Sequence, residues 1–139
     1  MADITVTSVN VRALQPNGAI VRRYLAGDEI TVGYAVHIAS DGDVEHADAN
    51  VTATSARAIG IAVESYDGET TINAGDPVSV CVFGPVGGFS GMTPGANLYV
   101  SDTVGRIGST AGTASRIIGY AESATVLFVH PEQNDPSSA

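Results

Sequence analysis

Apolar and polar residues alternate with period two along much of this chain, the spacing of a half-buried β-strand. The stretch "DITVTSVNVRAL" carries Ile4 and Val6 in alternation and, after a one-residue slip, Val9 and Val11. "AIVRRYL" follows "QPNG", whose Asn17-Gly18 pair suits a type I′ hairpin turn. The i, i+3, i+4, i+7 spacing of an amphipathic helix is sustained nowhere, and glycine interrupts every short apolar run. A single helical turn fits only within "ADANVTATSARA", where the alternation lapses. The pattern predicts an all-β fold of short strands and tight turns.

One phrase occurs twice. "RAIGIAVES" begins at Arg57 and "RIIGYAES" at Arg116, each reading R-x-I-G-x-A, with Gly60 and Gly119 in matching places. Before each copy lie an apolar strand, a Ser-Asp turn and a return strand: "YAVHIASDGDVEHADA" in the first, "NLYVSDTVGRIGSTA" in the second. "AGDEITVG" and "AGDPVSVCVFG" each open a strand with a Gly-Asp turn. Two similar meanders facing each other close a small β-barrel or β-sandwich and remove exposed sheet edges. Gly60 and Gly119 are then expected at a bulge or a close backbone approach, and the repeat is architectural.

A length of 139 residues suits one domain with a single core. The lone cysteine, Cys81, has no internal bridging partner, and "VSVCVFG" places it in a strand as a buried thiol. No apolar run approaches the roughly 20 residues that span a bilayer, and "MADITVTSVNV" lacks the pattern of a secretory signal. Synthesis in a cytoplasm, with no membrane partner, is the expectation.

Charge narrows the partners. Net charge is −9 and the chain has no lysine; its six cations are all arginine. Phosphate backbones are held mainly by Lys and Arg, so nucleic acid is set aside. The cations are unevenly placed, with Arg12, Arg22 and Arg23 against only Asp3 in the first 27 residues. A basic arm on an acidic body favours contact with other copies or with an acidic surface. The expected organisation is an extended N-terminal arm over 1–24, a β-barrel-like domain over 25–130 and a flexible polar tail over 131–139.

The search for chemistry excludes more than it finds. A P-loop requires a lysine, and "GGFSGM" lacks the spacing of a nucleophile elbow. "FGPVGGFSGMTPG" reads as a flexible apolar loop. Its Phe83, Val86, Phe89 and Met92 exceed what a solvated loop requires, which suits burial against the same chain or against a neighbouring subunit. "HIASDGDVEHAD" gathers His37, Asp41, Asp43, Glu45, His46 and Asp48 but fails the calcium-loop pattern. It reads as a solvated acidic hairpin, with His37 and His46 near each other across the turn. No catalytic set, metal site or cofactor is assigned.

The succession "LAGDEITVGYAVHIASDGDVEHA", "RAIGIAVES", "INAGDPVSVCVFGPV", "TPGANLYVSDTVGRI" and "RIIGYAESATVLFV" resembles the capsid decoration proteins of tailed bacteriophages, also called cement or head-stabilising proteins. The similarity spans about residues 25–129. It implies a small β-barrel-like domain, usually a homotrimer with an extended N-terminal arm. Such a protein sits on the outside of the mature head in the virion and clamps neighbouring major capsid subunits. It also implies a structural role without catalysis. Arg12, Arg22 and Arg23 are the candidates for charge-assisted pairing at that interface. Val9, Val11, Leu14, Ile20 and Val21, with the loop's Phe83, Val86, Phe89 and Met92, are the candidates for its apolar part.

Two other classes stay open at this level. A tail or fibre module, or a carbohydrate-binding β-domain, would use Tyr66, Tyr99 or Tyr120 as its stacking platform, since tryptophan is absent. A small trimeric β-enzyme would turn on His37 or His46.

Overall fold

The structure, a computed structural model, describes residues 3–14, 18–50, 55–63 and 69–132. Among these residues the alternating segments form strands: β1 (Thr5–Val6), β2 (Arg12–Ala13), β3 (Ile20–Leu25), β4 (Ile30–Thr31), β5 (Ala35–Ile38), β6 (Val44–His46) and β7 (Gly60–Ala62). They continue with β8 (Thr71–Ile72), β9 (Pro77–Gly87), β10 (Phe89–Ser90), β11 (Asn97–Val100), β12 (Ile107–Gly108), β13 (Ile117–Ala121) and β14 (Val126–Val129). A 3₁₀ turn at Ser8–Asn10 accounts for the slip in the first alternation. Part of the segment expected to hold a helical turn, residues 51–54, lies outside the described residues, as does Asn17.

The all-β expectation is met, in the form of a curled half-barrel sheet. The main sheet runs β12-β11-β13-β14-β9-β7-β5-β6, with β2 and β3 also paired to β9. From its middle outward the path reads the same in both directions: β9-β7-β5-β6 one way and β14-β13-β11-β12 the other. Each half is a hairpin whose first strand also pairs with the R-x-I-G-x-A strand. Gly60 lies opposite Val36 of β5, and Gly119 opposite Leu98 of β11. Both glycines sit where a neighbouring backbone presses in. A Cβ on Gly60 would overlap the Cys81 carbonyl, and one on Gly119 the Phe128 carbonyl. The repeated phrase therefore encodes close approach of two strands, once per meander.

The curl brings the two hairpins together. Gly105, in the β11–β12 turn, donates to the Ala47 carbonyl at 2.7 Å and accepts from the Ala35 N–H at 2.8 Å. Ala49 donates to the Ser101 carbonyl at 3.1 Å. Gly105 has φ +77°, and any side chain there would collide with Tyr34.

Period-two alternation sorts the side chains into two cores. The larger lies inside the curl and includes Ala35, Ile61, Cys81, Leu98, Ile118 and Leu127. The smaller, with Val36, Val44, Ala62, Val78 and Val80, lies on the outer face of the first meander and is roofed by the β4–β8 pair through Ile30 and Ile72.

The described residues of the expected arm, 3–14 and 18–24, are paired into the sheet. β1 pairs with β10, and β2 and β3 both pair with β9. Ile4 and Val11 lie in the larger core. Glycines make the room: a Cβ on Gly84 would fall 2.6 Å from the Ala19 Cα, and one on Gly88 2.7 Å from the Val11 Cα. The same contacts correct the reading of "FGPVGGFSGMTPG" as a flexible loop. Its first residues, Phe83–Gly87, end the eleven-residue strand β9, and Phe89–Ser90 form β10. Of the expected tail, residues 133–139 lie outside the described residues.

Candidate interaction surface

The predicted interface residues divide by burial. Val11, Val86, Phe89 and Met92 are buried in the chain's own core. Their apolar character is explained by self-packing, the first of the two alternatives for the glycine-rich segment. Leu14 is half-buried, as is Val21, which packs against the same core. Val9, Arg12, Ile20, Arg22, Arg23 and Phe83 are exposed.

The exposed set is not one patch of equal members. Arg12 is held by its own segment, its guanidinium donating to the carbonyls of Val9 at 3.1 Å and Val11 at 2.9 Å. Arg22 and Arg23 project from β3, on opposite faces because successive strand residues alternate. Ile20 stands opposite Phe83 in the β3–β9 register. From Phe83 an aromatic row crosses the outer face of the second meander. Phe83 meets Phe128 edge-on at 5.1 Å, Phe128 stacks on Tyr120 at 5.1 Å, and His130 lies 5.4 Å from Phe83. A shallow groove beside β3 is lined by Arg22, Tyr24, Ile59, Val82, Phe83, His130 and Pro131. On the first meander the equivalent face is covered by β4 and β8; here no such strand pair lies over it among the described residues, and Tyr120 is 40% exposed.

The sequence reading missed Phe128, His130 and Leu25 as surface residues. Alternation in "VLFV" marks Leu127 and Val129 as inward and Phe128 as outward, so the signal for Phe128 was present. Tyr120 was singled out only as a sugar platform; Tyr66 lies outside the described residues.

The acidic hairpin forms no metal centre. Among the described residues no group of three His, Cys, Asp or Glu side chains is placed to hold an ion. His46 opposes Val36 while His37 opposes Glu45, so the two imidazoles point to opposite faces of the sheet and do not meet. His46 Nε2 accepts the Thr31 N–H at 3.0 Å, and its ring packs on Tyr34 at 5.0 Å. Burial pushes its pKa below the ordinary value, against an opposing pull from Asp28 and Glu29. These are structural duties. Cys81 is buried, with Sγ 3.5 Å from the Phe83 carbonyl.

With this geometry in view, comparison with known families is decisive. The family model described as structural cement protein (E217 gp24/Pam3 gp6) matches residues 10–129. The chain belongs to the phage structural cement protein family. No curated protein matches it. Membership makes this a phage structural protein that stabilises the capsid, associated with the capsid in the virion, and the family's role is structural. The match begins at residue 10, so it takes in β2 and β3 along with the body. That agrees with a fold in which the N-terminal segment is woven into the sheet. Among the described residues no helix is long and apolar enough to cross a membrane.

Proposed function

We propose that this cement protein binds the outer surface of the mature head as a homotrimer and stabilises the shell by clamping neighbouring major capsid subunits. The observation that carries the reading is the exposed surface of β3 and its surroundings. It carries Arg22 beside the Phe83 row, with Arg23 on the opposite face and Ile20 and Leu25 exposed at the strand's ends, on a chain whose net charge is −9. Exposed aromatic and apolar area supplies the contact, and two guanidiniums supply direction and charge-assisted bonds to carboxylates. An oligomer touching several capsid subunits forms its later contacts at high effective concentration, so its hold exceeds that of one site. DNA pressure then has to break several contacts together. The buried residues Val11, Val86, Phe89 and Met92 are left out of this interface.

The test is shell strength. Heads assembled without the protein should release DNA at a lower temperature than wild-type heads, and adding purified protein should restore the difference. Identical release temperatures with and without it would remove the clamping role.

A further inference from the structure

The main sheet covers its terminal strands with the chain itself. The outer edge of β12 is met by Asp3 and Ile4, with the Ile4 N–H on the Ile107 carbonyl at 2.9 Å. The outer edge of β6 is met by Ala26 and Gly27, with the Gly27 N–H on the Val44 carbonyl at 2.8 Å. β3 differs: among the described residues its ladder is with β9, and on its other side only the Leu25 end is met, by β6.

The ladder shows which of its backbone groups are left over. Ser79 gives its carbonyl to the Val63 N–H, at 2.9 Å, on the far side of β9, and Cys81 faces Ile61 on that side. In an antiparallel ladder, backbone groups alternate between the two neighbours. Arg23 and Val21, which stand opposite Ser79 and Cys81, therefore turn their own N–H and C=O groups away from β9. Leu25 shares their orientation but is already engaged, since the parallel bridge of Ala26 with Val44 sets the Val44 N–H on the Leu25 carbonyl. Two successive donor–acceptor sets, those of Val21 and Arg23, line the edge, with Val21 half-buried and Arg23 exposed. An open edge of this length is a template for strand addition.

We propose that the free edge of β3 receives an extended acidic segment of a capsid subunit as an added strand. The proposal rests on the capsid-binding reading above and names the mode of contact. Charge selects the occupant. Ile20–Leu25 contains two arginines and no acid, one arginine on each face. The adjoining groove adds His130 and Phe83 and, among the described residues, is lined by no carboxylate. A second copy fits poorly, because two-fold antiparallel pairing of β3 with itself sets the arginines of one copy against those of the other. Repulsion between two bodies of net charge −9 adds to that. A strand with carboxylates on both faces meets both arginines while completing the ladder.

The experiment compares binding of wild type, Arg23→Ser and Arg23→Pro to mature heads that lack the protein. Both variants lose the cation; only proline also loses the outward amide. Proline is tolerated on an edge strand where the N–H faces solvent, and thermal unfolding checks that the variant is folded. Arg23→Ser should bind a few-fold more weakly at low salt, with the deficit shrinking at high salt. Arg23→Pro should be about tenfold weaker still at either salt. Equal binding of the two variants would overturn strand addition and leave capsid binding intact, whereas no binding by wild type would overturn both. A changed oligomeric state in Arg23→Pro would assign the edge to a second copy and also overturn the proposal. A readout without variants is amide exchange across residues 20–25: slowing on the head supports the added strand, and unchanged exchange contradicts it.

Discussion

Gly60 lies so close to the Cys81 carbonyl that no Cβ fits between them, and Gly119 stands in the same relation to the Phe128 carbonyl. The two glycines are equivalent members of two meanders. Gly60→Ala and Gly119→Ala should each destabilise the protein by about 1–3 kcal/mol, the range for forcing extra volume into a packed site. Gly87→Ala is the comparison, because its Cβ would meet only Leu14 Cδ2 at 4.0 Å. It should change stability by no more than about 0.5 kcal/mol. Urea unfolding of the three variants checks the order.

The N-terminal segment is part of the fold, so its removal should cost stability. Ile4 and Val11 are 6% and 0% exposed, and burying such a side chain is worth about 1.5–3 kcal/mol. A chain lacking residues 1–14 should unfold at markedly lower denaturant, by about 3–6 kcal/mol for these two side chains together. A detached arm would leave the midpoint where it was.

His46 gives the stability a pH dependence of defined sign. Its Nε2 accepts the Thr31 N–H, which requires the neutral ring, and burial holds its native pKa below the ordinary 6.5. Between those two values the unfolded chain binds the proton and the native chain does not. The contribution is therefore complete above about pH 6.5 and declines as pH falls through the window towards the lowered native value. Unfolding free energies measured across that interval should show the slope in the wild type and a flatter profile in His46→Gln.

The arginines should not be equivalent on the capsid. Arg12 is already bonded to the carbonyls of Val9 and Val11, whereas Arg22 and Arg23 project from β3. Replacing Arg22 and Arg23 together by Ser should weaken binding to heads at moderate salt by about tenfold or more, taking about 1 kcal/mol for each charged contact. Arg12→Ser should change it less. Titration of each variant onto heads at fixed salt measures both.

Much of this fold was legible because its determinants are local. Alternation gave strands, and the doubled R-x-I-G-x-A with its upstream hairpins gave two meanders. The glycine in that phrase points to close approach because a strand interior otherwise disfavours glycine. What escaped was set by contacts distant in sequence. Gly84 and Gly88 looked like loop residues because the segments that press on them, at Ala19 and Val11, lie some seventy residues upstream. Basic charge made residues 1–24 look like an arm, although the same stretch supplies Ile4 and Val11 to the core. For the surface, Arg22, Arg23 and Ile20 stood out by charge and apolar character, but period-two alternation does not foretell that both neighbouring arginines are exposed. Nor does it foretell the open edge of β3, because edge status depends on which strands lie alongside.

The most direct measurement is co-sedimentation of the purified protein with mature heads of its phage that lack it, with unexpanded proheads as the comparison. Saturable binding to mature heads and none to proheads is the predicted result. Absence of binding to either particle would contradict the account.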